Sequence, residues 1–359
     1  MARELDPNLR RHLHAGTVIP AHPLALDSKR ELDERRQRAL TRYYLAAGAG
    51  GLAVAVHTTQ FEIREVGLLE PVLRLAAEEA QERKNRGPLA LVAGVVGPTE
   101  QAVREAELAR ELGYDLALVS PGGVPSYSEE QLLERARAVA EVLPVFGFYL
   151  QPAVGGRVLG YDFWRDFAEI PGVEAIKMAP FNRYRTLDVV RAVCESSRRD
   201  EIALYTGNDD NIIADLLTPY DLMVDGRPVR KWIVGGLLGQ WAVWTHTAVR
   251  ILERVKRARQ SDDAEELREL LSLNVRLTDA NAAVFDAGND FHGVIAGVHQ
   301  VLADQGLLGG TWCLDPQESL SEGQREEIDR VRTAYPELTD DAFVAEHLQE
   351  WLATAKQRA

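Results

Sequence analysis

The sequence predicts an α/β fold: a (β/α)8 TIM barrel with a C-terminal helical appendage. Two observations support this prediction. Eight short apolar segments alternate with amphipathic segments between residue 16 and about residue 240, which is typical of parallel βαβ units. Eight is also the number of strands that closes such a barrel. An open, doubly wound sheet is the alternative, but it would require a glycine-rich phosphate loop after the first strand. The segment Ile19–Leu24 contains no glycine.

The predicted strands are short apolar runs bounded by polar or turn residues. They are Thr17–Pro20, Leu52–Val56, Leu89–Val95, Leu116–Val119, Val145–Leu150, Val173–Ile176, Ile202–Tyr205 and Ile233–Leu238. The helices predicted between them are Asp33–Ala47, Glu70–Arg86, Thr99–Leu112 and Ser128–Val142. Ser128 and Gln131 form a capping box at the start of the last of these helices. Gly113 follows Leu112 as expected at a helix C-terminus.

The segment before the eighth strand, residues 218–228, is unusually long and contains the turn pair Asp225-Gly226. We expect a hairpin with a structural or subunit-contact role. Strand patterns stop after residue 240, and the remaining predicted helices are Ala248–Arg259, Ala264–Leu273, Thr278–Asp286, Val294–Gln305, Ser321–Ala334 and Asp340–Lys356. The predicted division is therefore a barrel at residues 1–245 and a helical extension packed on it at residues 246–359.

Composition excludes several functional classes. With 46% apolar and 27% charged residues and no run of about 18 apolar residues, the chain is predicted to be soluble rather than membrane-bound. The N-terminus, with Arg3 and Glu4, lacks the apolar core of a signal peptide, so we expect a cytoplasmic protein. A net charge of -14 argues against nucleic acid as a partner. Cys194 and Cys313 are too far apart in sequence to indicate a disulfide framework or a metal site.

Lys177 is the candidate catalytic residue. It directly follows the predicted strand Val173–Ile176, and a loop begins at Pro180. Burial at such a position disfavours the ammonium form and lowers the pKa. An amine that is partly neutral can attack a ketone and form a Schiff base. The alternative is a lysine that extends into solvent or pairs with a carboxylate.

Further polar residues and glycines lie at or near the carboxyl ends of the other predicted strands, where the active site of a barrel of this kind lies. They are His22, His57, Thr58, Thr59, Tyr149, Asn208, Asp209, Gly235 and Gly236. Hydroxyl and amide groups suit a carboxylate, a lysine suits a ketone, and a tyrosine can transfer a proton. The set therefore predicts a small-molecule 2-oxo acid as the substrate.

Several motifs, in order along the chain, resemble the dihydrodipicolinate synthase and N-acetylneuraminate lyase family of pyruvate-handling class I barrels. The resemblance runs from about Gly16 to about Arg330. The motifs are His57-Thr58-Thr59-Gln60 for the family's Gly-Thr-Thr-Gly, Tyr149 three residues before Pro152, Ala175-Ile-Lys177-Met-Ala for Gly-Ile-Lys-Glu-Ala, and Thr206-Gly-Asn-Asp209 for Ser-Gly-Asp-Asp.

The resemblance implies that Lys177 forms an imine with pyruvate or a larger 2-oxo acid, without a metal or a separate cofactor. It implies that Thr58 and Thr59 hold the carboxylate, with help from an amide near Gly235 and Gly236. Tyr149 would move protons. The activity would be that of an aldolase, hydratase-aldolase or dehydratase, and the protein would be a homo-oligomer, either a tetramer or a dimer.

The chain also departs from the family. Pro121-Gly122-Gly123 stands where the synthase branch has Pro-Tyr-Tyr. Val154 stands where the synthase has the arginine for its second substrate, and Arg157 follows three residues later. We therefore expect an activity other than dihydrodipicolinate synthesis. A non-catalytic 2-oxo acid binding or sensor protein on the same barrel is the alternative.

Two of the replacements are histidines, His22 and His57. The first expectation is that they contact substrate or shape the pocket. Acid–base catalysis near neutral pH is a second possibility. A third is a metal-dependent lyase, in which both histidines and Asp209 would hold the ion.

Overall fold

The computed structural model describes residues 4–85, 87–261 and 263–353. Its strands are β1 Val18–Pro20, β2 Gly51–Val54, β3 Ala90–Val95, β4 Leu116–Val119, β5 Val145–Leu150, β6 Val173–Ala179, β7 Ala203–Thr206, β8 Pro219–Val224 and β9 Arg227–Leu238. Its α-helices are α1 Pro7–His14, α2 Glu34–Ala47, α3 Leu69–Lys84, α4 Thr99–Glu111, α5 Glu129–Ala140, α6 Tyr161–Ala168, α7 Arg183–Glu195, α8 Ile212–Leu217, α9 Thr245–Ala258, α10 Ala264–Val284, α11 Val294–Asp304, α12 Gln324–Ala334 and α13 Asp341–Leu352.

The (β/α)8 barrel and the C-terminal helices are confirmed. Eight strands, β1 to β7 and β9, belong to one sheet, and β8 pairs only with β9. The chain divides into two compact units. The first contains α1 and Ala90–Leu237, and the second contains Val18–Leu89 and the chain from Leu238 onward.

In the first unit, six parallel strands lie side by side in the order β9, β7, β6, β5, β4 and β3. Every residue of β4, β5 and β6 is buried. Strands buried on both faces are typical of parallel sheets that are covered by helices. A side chain in these strands is therefore cut off from water whichever face it lies on.

In the second unit, β1 and β2 are joined by a parallel bridge between Ala21 and Ala53. Helix α2 packs against α3 and α13. The hydroxyl of Tyr43 in α2 donates to a carboxylate oxygen of Asp340, 2.7 Å away, and accepts from the amide of Thr245, also at 2.7 Å. These bonds connect α2 to α9 and to Asp340, the residue before α13, which are far from α2 in sequence.

Two local predictions about turns and caps are confirmed. Ser128 accepts from the amide of Gln131 and forms the capping box that starts α5. The segment before β9 is a hairpin, because β8 and β9 pair antiparallel around Asp225 and Gly226. Both turn residues have positive φ, 49° and 74°, as a two-residue hairpin turn of type I′ requires.

Two helix predictions differ from the structure. The predicted helices Ala264–Leu273 and Thr278–Asp286 are replaced by one continuous helix, α10, which ends at Val284. Helix α1 was not expected, although Asp6 caps it and Pro7 occupies its first turn. The predicted helix ends at Arg86 and Lys356 lie outside the described residues.

The division predicted between residues 245 and 246 falls in the first turn of α9, and it stays a prediction.

None of the helices in the described part of the chain combines the length and the apolar character that a membrane crossing requires.

Candidate active site

Lys177 lies within β6 rather than after its end, because the strand continues to Ala179. Its register partners are Phe148 in β5 and Tyr205 in β7. Residues at one level of adjacent parallel strands direct their side chains to the same face of the sheet. Lys177 therefore shares a face with two aromatic residues, and only 8% of it is exposed.

The amine of Lys177 has few groups near it that stabilise a positive charge. Nζ lies 4.2 Å from the centroid of the Phe148 ring, and within the described part of the chain it makes no hydrogen bond. Burial lowers the pKa of Lys177 to about 8, although the negative charge of Asp209 raises it in part. About one amine in ten is then neutral at pH 7, against about one in three thousand for an ordinary lysine. The neutral form is the one that attacks a carbonyl carbon.

Gly207, the residue directly after β7, leaves room for the lysine side chain. A Cβ atom at this position would lie 2.6 Å from Cε of Lys177 and 2.9 Å from Cβ of Ala179. Real Cβ atoms do not approach other atoms so closely, so any larger residue would displace the lysine. Sequence reasoning missed this role, although a glycine that directly follows a strand indicates a close approach.

Asn208 connects the loops that follow β6 and β7. Its Oδ1 accepts from the amide of Phe181 at 3.0 Å, and its Nδ2 donates to Asp215 at 2.9 Å. Phe181 has a φ of 49°, a left-handed conformation that is strained for an aromatic residue. The amide of Asn208, which we expected to contact substrate, is thus used to hold the backbone around Lys177.

Asp215 in α8 is the acceptor at the centre of this network, and only 1% of it is exposed. It accepts from the hydroxyl of Thr206 at 2.7 Å and from Nδ2 of Asn211 at 3.1 Å, in addition to Asn208. The guanidinium of Arg183 also donates to it. Sequence reasoning missed Asp215. A single acid within the apolar helix Ile-Ile-Ala-Asp-Leu-Leu was the pattern that could have identified it.

The structure does not bring Tyr149 together with Lys177. The register partner of Tyr149 is Met178, so its side chain lies on the opposite face of the sheet. Its ring packs 5.2 Å from that of Trp164, and its hydroxyl accepts from the amide of Leu159 at 3.2 Å. Burial raises the pKa of this hydroxyl. In this position the Tyr149 hydroxyl cannot exchange a proton with an imine on Lys177. The proton transfer by Tyr149 stays a prediction, and it would require a different position of this side chain.

Gly235 and Gly236 lie where β9 passes close to the backbone of Thr17. A Cβ at Gly235 would lie 2.5 Å from the carbonyl oxygen of Thr17 and 2.8 Å from the ring of Tyr205. The amide of Gly236 donates to the same oxygen of Thr17 at 3.3 Å. The amide of Gly236, which we expected to help bind a substrate carboxylate, therefore donates to a carbonyl oxygen of the protein instead.

Thr58 and Thr59, in the second unit, follow β2. The hydroxyl of Thr58 donates to the carbonyl oxygen of Ala21 at 2.8 Å, and that of Thr59 donates to the carbonyl oxygen of His22 at 2.6 Å. A hydroxyl carries one proton. Both protons are thus committed to backbone carbonyls, and either hydroxyl would have to rotate to donate to a carboxylate.

His22 is fully buried, and both of its ring nitrogens face protein groups. Nδ1 lies 2.8 Å from the carbonyl oxygen of Pro23, and Nε2 lies 2.9 Å from the hydroxyl of Thr41. Nε2 of Gln37 also lies 3.1 Å from Nδ1. Burial lowers the pKa of His22 to about 4, which keeps the ring neutral. These contacts fit the expectation that His22 shapes its surroundings.

His57 is half-buried, and its ring lies 5.9 Å from that of Phe61. Asp209 is buried and acts on Lys177 through its charge. Among the residues that the structure describes, no group of three His, Cys, Asp or Glu side chains is arranged to hold a metal ion.

A model of the dihydrodipicolinate synthetase family matches residues 14–219, which is more than half of the chain. The matched segment contains Lys177, Asn208 and Asp209 and ends before Gly235. The chain is also 30% identical over 209 residues to an N-acetylneuraminate lyase from Citrobacter koseri. That match covers 57% of this chain and 66% of the lyase, which is less than two thirds of the lyase's length.

Solved structures with the same fold include dihydrodipicolinate synthase from Bacteroides thetaiotaomicron, with a TM-score of 0.70 and 18% identity over 89% of this chain and 98% of that one. They also include CdNal from Clostridium difficile in complex with mannosamine, with a TM-score of 0.68 and 17% identity over 89% of this chain and 99% of that one. At such identities the similarity bears on the fold alone.

Proposed function

The chain belongs to the dihydrodipicolinate synthetase family, and from this premise we propose that it is a lyase that forms an imine between Lys177 and a 2-oxo acid. The substrate is pyruvate or a larger 2-oxo acid, and the reaction is that of an aldolase, hydratase-aldolase or dehydratase. The observation that carries the proposal is a lysine within a buried strand of the matched segment whose pKa burial lowers to about 8.

The chemistry follows from the neutral amine. Nζ of Lys177 attacks the ketone carbon, and loss of water from the resulting carbinolamine leaves an imine. Once protonated, the imine carries a positive charge that accepts the electron pair released when a carbon–carbon or carbon–oxygen bond breaks. No metal or organic cofactor is required for these steps. The negative charge of Asp209, which acts on the ammonium, also acts on the protonated imine because both charges are centred on Nζ.

The roles of the other residues are proposed on the resemblance. Thr58 and Thr59 hold the substrate carboxylate, which requires their hydroxyl protons to leave the carbonyls that they bind in this structure. His57 contacts the substrate beside them. We assign no residue to the proton transfer, because Tyr149 lies on the other face of its strand.

We further propose that the activity is not dihydrodipicolinate synthesis. Pro121-Gly122-Gly123 provides no hydroxyl where the synthase branch has tyrosines. Arg157, the arginine nearest to the position of the synthase's substrate-binding arginine, donates to the backbone carbonyl of Tyr127. The part of the site that selects the second substrate therefore differs in this chain.

We also propose that the protein is a cytoplasmic homo-oligomer, a dimer or a tetramer. The proposal follows from the family resemblance. We assign a subunit contact to the hairpin of β8 and β9, because Met223, two residues before its turn, is 69% exposed. Light scattering on the purified protein gives the number of subunits.

The experiment that tests the imine is reduction with borohydride in the presence of pyruvate, followed by intact mass and peptide mapping. We expect one reduced adduct on Lys177 and none in Lys177→Met. Lys231→Met is the matched control, because Lys231 is also a lysine of the first unit whose pKa is lowered by burial. It should retain the adduct.

No adduct with pyruvate or with larger 2-oxo acids would contradict the proposal, as would an adduct on another lysine. An adduct without turnover of any 2-oxo acid would favour the second candidate, a binding or sensor protein. The loss of the strand-four tyrosines is the observation that supports this candidate.

A further inference from the structure

A small cavity lies within the first unit, between the C-terminal ends of β4 and β5 and the helices α5 and α6. Its volume is ≈ 20 Å³. Its walls are aliphatic and aromatic side chains, among them Phe163 and Phe167, together with one charged residue, Arg135. A cation in such apolar surroundings requires an explanation, because an unpaired buried charge is strongly destabilising.

All hydrogen bonds that Arg135 makes to described residues go to backbone carbonyls. Its Nε donates to Gly97 at 2.8 Å, and its two terminal nitrogens donate to Ser120 at 2.9 Å and to Val95 at 3.4 Å. A guanidinium has five N–H groups, so each terminal nitrogen has a second N–H that binds none of the residues that the structure describes. In the described ranges no carboxylate forms an ion pair with Arg135, which is only 1% exposed. Against the lowering by burial, the negative charge of Glu105 also acts on Arg135 and raises its pKa.

A second donor belongs to the same cavity. Trp164 lines it, and the indole Nε1 of Trp164 is buried without a hydrogen-bond partner in the described part of the protein. An indole N–H can only donate. None of the side chains that line the cavity is an acceptor. A water molecule there would find two donor side chains and no acceptor side chain, whereas an anion accepts from both donors.

We propose that this cavity is a binding site for a small monovalent anion of about halide size, held by the guanidinium of Arg135 and the indole N–H of Trp164. The volume matches one particle about the size of a water molecule, which favours a halide over phosphate or sulfate. Phe148 lines the cavity, and its ring also lies 4.2 Å from Nζ of Lys177, the proposed reacting lysine. Binding of the anion does not depend on the proposed imine chemistry.

The test is thermal unfolding of the full chain in sodium bromide, compared with sodium isethionate at equal ionic strength. Isethionate is a monovalent anion that is too large for the cavity. At bromide concentrations about one hundred times Kd, we expect a saturable rise in Tm of about 4 °C over isethionate. Trp164→Phe keeps the aromatic packing but removes the N–H, and it should weaken bromide binding about tenfold. Arg135→Gln should abolish it.

Trp232→Phe, in β9, is the matched control and should respond to bromide as the unaltered protein does. A crystal soaked in bromide should show an anomalous peak beside Arg135. Equal Tm values in bromide and isethionate would overturn the proposal, as would an unchanged response in Trp164→Phe or a water molecule in place of the bromide peak. Trp164→Phe keeps the proposal testable if Arg135→Gln does not fold.

Discussion

Two lysines of the first unit, Lys177 and Lys231, both lie in strands; Lys177 is buried and Lys231 is half-buried, and their amines are in different surroundings. Burial lowers the pKa of each. Nζ of Lys231 donates to the backbone carbonyl of Arg199, whereas Nζ of Lys177 makes no hydrogen bond to a described residue. A carbonyl that accepts from an ammonium favours the charged form.

The comparison shows that a lowered pKa is not by itself a mark of a reacting lysine. Lys231 is held by its hydrogen bond as a structural cation, while Lys177 faces the ring of Phe148 and the charge of Asp209. What distinguishes Lys177 is an amine that is buried, unbonded and given room to move by Gly207. Gly207→Ala tests the room around the amine, and the pH dependence with Asp209→Asn tests its burial and its electrostatic surroundings. Tyr149→Phe then tests a side chain on the other face of the sheet.

The largest effect in this comparison is expected from removing the room around Lys177. In Gly207→Ala, the new methyl group would occupy the space of Cε, which lies 2.6 Å from the position of a Cβ. A misplacement of about 1 Å reduces rates about a hundredfold, so we expect borohydride trapping with pyruvate to slow by about that factor. The measurement is the initial rate of adduct formation.

Gly160→Ala is the matched control for this variant. Nothing lies within 4 Å of a Cβ at Gly160, and its φ of -85° is accessible to alanine. It should trap pyruvate at the unaltered rate. If Gly207→Ala traps as fast as Gly160→Ala, the close approach to Lys177 has no bearing on the reaction.

The next effect is a shift in pH dependence. Because burial lowers the pKa of Lys177 to about 8, trapping should accelerate between pH 6 and about pH 8 and then level off, instead of rising toward pH 10.5. The charge of Asp209 raises this pKa, so Asp209→Asn should lower it and move the midpoint to lower pH. Trapping below pH 8 should then be faster than in the unaltered protein.

Lys231→Met provides the control, with an unchanged midpoint. A midpoint near pH 10 in the unaltered protein would mean that the amine is hydrated in solution. A midpoint that moves to higher pH in Asp209→Asn would contradict the sign of the electrostatic effect.

Local features of the chain were predictable from sequence, and features that join distant segments were not. β4 and β5 have the predicted bounds, and the capping box at Ser128 is confirmed, because neighbouring residues determine both. The break predicted within α10 is wrong. The segment around Val275 has no glycine or proline to end a helix, and only the apolar pattern weakened there.

The same limit applies to the candidate site. The burial and the lowered pKa of Lys177 followed from its position in an apolar strand, and both are confirmed. Asp215 and Arg135 were missed because their partners, such as Thr206 and Gly97, are identified only when the chain is folded. For Tyr149 the strand was right, but the face on which its side chain lies depends on the register with β6.

The smallest effect concerns Tyr149. Its hydroxyl accepts from the buried amide of Leu159, and no hydrogen bond joins it to Lys177 in the described structure. Tyr149→Phe leaves that amide without an acceptor, so we expect a loss of about 1 kcal/mol in the free energy of unfolding. Because the ring remains and the hydroxyl lies on the other face from Nζ, imine trapping should be unchanged and turnover should fall by no more than about threefold. Trapping at the normal rate with a fall in kcat of about a hundredfold would instead support the proton relay that the resemblance implies. The side chain of Tyr149 would then have to reach the other face of the sheet during the reaction.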